Sequence, residues 1–190
     1  YQTELRKPSL TVYCLDYSGS MAGNGVTSLR SAMSMLLDQQ KAKSYMLQAS
    51  TKDVTIVIPF DNNVLDIWKA EGNDETTLLE LQSKIDSLDP QGGTDIYKPL
   101  IKAMDEIKKY NVSDYTTSII LMSDGKSNVN SYNQVVEEWN QENLDIPIFS
   151  ITFGESDDRE LQALADFSTA RVFDGKDNLE KAFKQAKGYN

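Results

Sequence analysis

The sequence contains 190 residues, 39% of them hydrophobic, which is enough to build one domain with a proper core. Its 29 acidic side chains outnumber 19 basic ones, and the resulting net charge of −10 argues against general affinity for nucleic-acid phosphates or anionic membranes. The chain has no histidine and one cysteine, Cys14, which excludes Ser-His-Asp and Cys-His catalysis, an intrachain disulfide and the commonest zinc sites.

Six apolar runs predict β-strands. Several, such as VTIVIPF and TTSIILM, are continuous apolar and β-branched stretches rather than clean alternations, which is typical of strands buried on both faces. In chain order, the predicted strands are Leu10–Leu15, Val54–Phe60, Val64–Trp68, Thr117–Met122, Ile146–Phe153 and Arg171–Phe173.

Segments of helical period lie between these runs. Apolar residues share one helical face around Leu29–Leu37 and again around Tyr97–Ile107. Four further helices are predicted at Thr77–Ser87, Ser131–Asn140, Asp158–Ser168 and Leu179–Ala186. Alternating strands and helices indicate an α/β fold, a mostly parallel sheet with helices on both faces.

The second and third runs are separated by Asp61-Asn62-Asn63 alone. A connection this short makes a hairpin, and asparagine tolerates the positive φ that such turns need, so Val64–Trp68 is predicted to be an antiparallel edge strand. We see no linker or internal repeat and therefore expect a single domain over 1–190 with its core at about 10–186. Because the sequence does not begin with methionine, we expect it to be part of a larger protein.

Three polar segments follow predicted strands or open a helix, at the edge of the sheet where parallel α/β proteins bind ligands. The first, LDYSGSMAGNG, places Asp16, Ser18 and Ser20 at alternate positions. The others contain Gly92-Gly93-Thr94-Asp95 and Ser123-Asp124-Gly125. Asp95 is interpreted as a first-turn acid of the next helix, and Asp61 as part of the hairpin turn.

We compared these segments with the sequence patterns of several kinds of enzyme and binding site, and most of them fit poorly. A serine hydrolase would need G-x-S-x-G and a base, and neither is present. An aspartyl-phosphate enzyme could use Asp16, but Ser18 stands where a second acid is usual. The glycines near Gly23 form neither a dinucleotide fingerprint nor a phosphate-binding loop. For Asp16, Ser18 and Ser20 alone, an ordinary polar turn that caps the next helix also remains open.

A hard divalent cation fits better. Magnesium takes about six oxygen ligands and keeps some of its waters, so hydroxyls plus a few carboxylates suffice. Asp16, Ser18 and Ser20 can turn their oxygens to one side, and Thr94 and Asp124 would complete the site from neighbouring loops. Oxygen donors select magnesium, manganese or calcium over zinc and copper.

These residues carry a family resemblance. Asp16-x-Ser18-x-Ser20 followed by Met21, then Gly92-Gly93-Thr94, then Ser123-Asp124-Gly125, resembles a von Willebrand factor type A domain with an intact metal-ion-dependent adhesion site. The resemblance implies a Rossmann-like three-layer fold with a six-stranded, mostly parallel sheet. It also implies that Ser18 and Ser20 ligate the cation directly, Asp16 and Asp124 largely through water, and Thr94 directly or through water.

The resemblance further implies a non-enzymatic adhesion module whose Mg²⁺, with Mn²⁺ or Ca²⁺ as substitutes, binds a Glu or Asp side chain of a protein partner. The alternative is a magnesium-dependent hydrolase or phosphotransferase that uses Asp16 or Asp124. We expect no nucleic-acid partner and no membrane insertion by this segment, and we favour an extracellular or membrane-tethered setting over a cytoplasmic one.

Overall fold

The structure is a computed structural model that describes residues 7–125, 127, 131–141, 145–153, 159–168, 172–175 and 179–187. Within these residues, six strands form one sheet in the order β3-β2-β1-β4-β5-β6. The strands are β1 (Ser9–Asp16), β2 (Val54–Phe60), β3 (Trp68–Glu71), β4 (Thr116–Ser123), β5 (Ile148–Thr152) and β6 (Val172–Asp174). All neighbouring pairs are parallel except β2 and β3, so the predicted fold class is confirmed.

Helices cover both faces of this sheet and divide the core into two halves. Alternate residues of β1 point to opposite faces, with Leu10, Val12 and Cys14 in one core and Tyr13 and Leu15 in the other. The helices are α1 (Asn24–Leu37), α2 (Gln39–Ser44), α3 (Glu75–Ser87), α4 (Tyr97–Ile107), α5 (Tyr132–Gln141), α6 (Arg159–Phe167) and α7 (Leu179–Ala186). Buried side chains of α1, α3 and α7 fill one core, and those of α4, α5 and α6 fill the other.

The edge strand pairs antiparallel to β2, as predicted, but it lies at Trp68–Glu71 rather than at Val64–Trp68. Val64 makes only an isolated bridge to Phe60. The carbonyl of Pro59 faces this partner and accepts the N–H of Leu65 at 2.9 Å, and proline has no N–H to return to the ladder. Asp66 then binds the N–H of Ile67 and the indole of Trp68, which delays regular pairing.

Other boundaries differ from the prediction by a few residues. Strand β5 begins at Ile148 instead of Ile146 because Pro147 cannot donate to a ladder, although its carbonyl accepts from Ile119. The six-residue helix α2 was not predicted; Asp38 caps it by accepting the N–H groups of Gln40 and Lys41. Arg171 and Asp158, the predicted first residues of the last strand and of the helix before it, lie outside the described residues.

Among the described residues, none of the helices has the length and hydropathy needed to cross a membrane.

A buried polar cluster ties both ends of the described fold together at the edge opposite the carboxyl ends of the parallel strands. Asp53 is 1% exposed, and its Oδ1 accepts the N–H of Ser9 at 2.9 Å and the hydroxyl of Ser50 at 2.8 Å. The Nζ of Lys187, just after α7, lies 3.8 Å from Oδ2. One carboxylate therefore joins the start of β1, the segment before β2 and the end of α7.

We expect Asp53→Ala to lower the free energy of unfolding by about 3 kcal/mol, because it removes the carboxylate partner of a lysine that is itself buried. Urea unfolding monitored by circular dichroism measures this change. The double variant Asp53→Ala, Lys187→Met should recover part of the loss, since it also removes the buried ammonium. A single variant as stable as the wild type would contradict the role assigned to this cluster.

Candidate metal centre

The polar segments predicted to form a site meet at the carboxyl edge of the sheet. Strand β1 ends at Asp16, which pairs with Phe60 at the end of β2, while Leu15 pairs with Met122 near the end of β4. The three central strands thus run parallel and stop at nearly the same level. The loops that leave β1 and β4 therefore emerge side by side.

Asp16 lies at the base of this edge and is fully buried. Its Oδ1 accepts the backbone N–H of Ser18 at 2.8 Å, and its Oδ2 accepts the hydroxyl of Ser123 at 2.6 Å. Burial raises the pKa of Asp16, hydrogen bonds from Ser123 and Ser18 oppose the rise, and the negative charge of Asp124 adds to it. A cation bound nearby would favour the charged carboxylate.

The hydroxyls of Ser18 and Ser20 converge above this carboxylate, with their Oγ atoms 3.2 Å apart. Ser18 is buried and immediately precedes a short 3-10 turn at Gly19–Met21, whereas Ser20 lies within the turn and is exposed. The turn brings alternate residues of the sequence to one side of the chain. The first three predicted ligands therefore form a compact group of oxygen atoms open to solvent at Ser20.

The Gly92 segment is fixed against this first loop by two backbone hydrogen bonds. Gly19 donates to the carbonyl of Gly92 at 2.9 Å, and Gln91 donates to the carbonyl of Tyr17 at 2.9 Å. Gly92 has a φ of +79°, which favours glycine. These bonds carry the buried Thr94 to the same edge as the two serines.

Asp124 reaches the site from β4 and is also buried, at 6% exposure. Its position is fixed by Ser123, which sequence reasoning noted as part of a segment but did not count among the site residues. The Ser123 hydroxyl donates to Asp16 and accepts the N–H of Gly125 at 3.1 Å. No sequence pattern pairs two residues 107 positions apart, so this link between β1 and β4 becomes visible only in the fold.

Asp95 caps α4, in keeping with its interpretation as an acid of the helix terminus. Its Oδ1 accepts the N–H groups of Tyr97 at 2.9 Å and of Lys98 at 3.3 Å. A carboxylate at this position stabilises both the free N–H groups and the positive end of the helix.

The donor set suits a hard cation. In the described part of the chain, no group of three or more His, Cys, Asp or Glu side chains is placed to hold a metal ion. A cation at this edge would therefore depend on hydroxyl oxygens as well as the carboxylates of Asp16 and Asp124. Two acidic groups with three hydroxyls is an all-oxygen set of the kind that Mg²⁺, Mn²⁺ and Ca²⁺ prefer.

Comparison with known proteins agrees with this architecture. A family model described as von Willebrand factor type A domain matches residues 11–170, which is most of the chain. A curated relative, inter-alpha-trypsin inhibitor heavy chain H3 of Mesocricetus auratus, is 28% identical over 159 residues. That alignment covers 78% of this chain and 17% of the relative, so the chain spans about a sixth of that protein's length.

Solved structures share the fold at low sequence identity. A von Willebrand factor type A protein from Catenulispora acidiphila superposes with a TM-score of 0.71 at 17% identity, covering 95% of this chain and 42% of the other. Proximal thread matrix protein 1 from the mussel byssus, described with a zinc-occupied MIDAS motif, has a TM-score of 0.63 at 16% identity. The match covers 94% of this chain and 47% of the mussel chain.

We expect Ser123→Ala to lower the free energy of unfolding by about 2 kcal/mol in the presence of a chelator, because hydrogen bonds to a buried carboxylate are stronger than neutral ones. Ser118→Ala is the matched control: it removes a buried serine of the same strand whose hydroxyl donates to a neutral carbonyl, that of Ala186, at 3.1 Å. Its expected loss is about 1 kcal/mol. Equal losses in urea unfolding would argue against the Ser123–Asp16 link.

Proposed function

The chain belongs to the von Willebrand factor type A domain family, whose members are protein-interaction modules, and on this premise we propose that it binds a protein partner through a divalent cation. The proposed ligands, direct or through water, are Asp16, Ser18, Ser20, Thr94 and Asp124. The observation that carries the proposal is the pair of serine hydroxyls, 3.2 Å apart, above a buried carboxylate that is held at both oxygens.

Neutral ligands explain why such a site would attract an acid. Carboxylates that bind a cation directly neutralise its charge, whereas hydroxyl ligands, with carboxylates held off by water, leave it able to attract an acid. The chain as a whole carries a charge of −10 and repels acidic partners at long range. The cation would supply the local attraction for a partner's Glu or Asp side chain, and the exposed Ser20 lies on the side from which that side chain would approach.

Magnesium is the proposed resident ion, with manganese or calcium as substitutes, because all the proposed donors are oxygen atoms. The mussel byssus protein, in which zinc occupies the motif, supports a divalent cation in a domain of this fold.

The geometry favours binding over catalysis. Asp16 is fully buried and both of its oxygens accept hydrogen bonds, so it is poorly placed to attack a substrate. The chain also has no histidine that could serve as a general base. We therefore assign no catalytic residue.

We also propose that residues 10–186 form one such domain within a longer protein, since the chain spans a small part of its curated relative. An extracellular or membrane-tethered setting remains our expectation, and the byssus matrix protein among the structural relatives supports it.

Saturating Mg²⁺ or Mn²⁺ should raise the melting temperature of the wild type by roughly 5–10 °C, because a ligand at about 100 times its dissociation constant stabilises the folded state by about 2.7 kcal/mol. Asp16→Ala and Ser20→Ala should lose most of this rise. Ser28→Ala, an exposed serine on α1, is the control and should retain it. Absence of any metal-dependent shift in the wild type would rule out the proposed centre.

Partner binding should depend on the same site. We expect the immobilised chain to retain a protein from its native extract in Mg²⁺ and to release it on addition of a chelator. Ser20→Ala should retain none, and Ser28→Ala should retain as much as the wild type. After identification of the retained protein, replacement of its contacting Asp or Glu by Asn or Gln should abolish binding. Retention that is indifferent to chelator and to Ser20→Ala would contradict metal-dependent recognition.

A further inference from the structure

We propose that Asp61 is an outer carboxylate of this metal centre, which does not ligate the cation and acts on it only through its hydration shell. This inference rests on the proposed function, because it concerns the same cation. The sequence pattern predicts only a hairpin role for Asp61, and the structure gives its side chain a second feature that a hairpin does not require.

The strand register places Asp61 opposite Asp124 across β1. Phe60 pairs with Asp16, so Asp61 is level with Tyr17 on one side. Met122 pairs with Leu15, so Asp124 is level with Tyr17 on the other side. The two acids therefore follow the two strands that flank β1 at matching heights, and the loop carrying Ser18 and Ser20 begins between them.

Asp61 is also fixed to the segment that carries Thr94. Its backbone carbonyl accepts the N–H of Asp95 at 2.9 Å. Its Oδ2 lies close to Gly92, where a β-carbon in place of the glycine hydrogen would approach it to 3.5 Å. The carboxylate consequently lies against Gly92, whose carbonyl accepts the N–H of Gly19 in the loop that carries Ser18 and Ser20.

One oxygen of Asp61 is used by the hairpin and the other is not. Oδ1 accepts the N–H of Asn63 at 2.9 Å, which forms the turn. Among the described residues, no protein group donates a hydrogen bond to Oδ2, although Asp61 is only 8% exposed. A largely buried carboxylate is stable when a positive charge lies nearby.

The neighbouring charged groups are engaged with other partners. The Nζ of Lys98 donates to the backbone carbonyl of Asn62 at 3.2 Å and to Oδ1 of Asn63 at 3.0 Å, and no ion pair with Asp61 is present in the described structure. Asp95 differs from Asp61 because its Oδ1 accepts two N–H groups at the N-terminus of α4. Asp61 thus has one oxygen, Oδ2, that is available to a hydrated cation.

Asp61→Gln and Asp61→Glu form a matched pair for testing this role. Both substitutions lengthen the side chain and disturb the turn to Asn63 alike, but only Glu keeps the charge. Acting through the outer shell, the charge should strengthen cation binding, and loss of such groups typically weakens metal affinity by about 10–100-fold. Asp66→Asn removes an exposed acid from the same hairpin and controls for net charge.

The measurement is the dissociation constant of Mn²⁺, from the electron paramagnetic resonance signal of the free ion, at fixed ionic strength and in the cold, so that every variant is folded. We expect Asp61→Gln to bind at least about tenfold more weakly than the wild type, and Asp61→Glu and Asp66→Asn to stay within about threefold. If Asp61→Gln and Asp61→Glu bind equally, whether unchanged or equally weakened, the charge of Asp61 has no role. If the wild type itself does not bind Mn²⁺, the proposed centre fails as a whole.

Discussion

Strand β1 is hydrogen-bonded along both edges by parallel partners, β2 on one side and β4 on the other. All eight of its residues are buried, so its register is fixed by packing on both faces as well as by the ladders. Parallel pairing brings the carboxyl ends of three strands to one edge, and the polar residues that follow them can meet only there. A slip of one residue in β1 would turn Asp16 towards the opposite face and separate it from Ser123.

Around that edge, the backbone does much of the positioning. The loop that carries Ser18 and Ser20 is held by backbone hydrogen bonds to Phe60 and Gly92. The Gly92 segment is bonded in the same way to Tyr17 and Asp61, and the Ser123 side chain fixes the end of β4. These bonds join three loops that are far apart in sequence into one unit before any ion binds. Pre-organisation of this kind reduces the ordering that a cation would otherwise have to impose.

The sequence predicted the parts of the molecule that depend on local patterns. Continuous apolar runs located β2 with its observed bounds, and the polar segments that follow the predicted strands indicated which loops would lie at one edge. The sequence could not predict the delayed start of β3, because the short connection between the two runs is typical of a tight hairpin. In the fold, Pro59 has no N–H to donate to the ladder, and Asp66 binds the N–H of Ile67, so regular pairing begins later. Nor could the sequence assign Ser123 or the open oxygen of Asp61, since their roles depend on contacts across the sheet. The short helix α2 has too few residues to show a period, and its cap at Asp38 was the available signal.

The cluster at Asp53 has a mechanical consequence. Because the same carboxylate binds Ser9 at the start of β1 and approaches Lys187 beyond α7, tension applied at the two ends of the described fold would enter and leave at one pole. The load would first act on this polar cluster and on the attachment of α7, while the loops at the carboxyl edge would lie outside its path. A domain pulled in this way could lose its last helix before the opposite edge was disturbed.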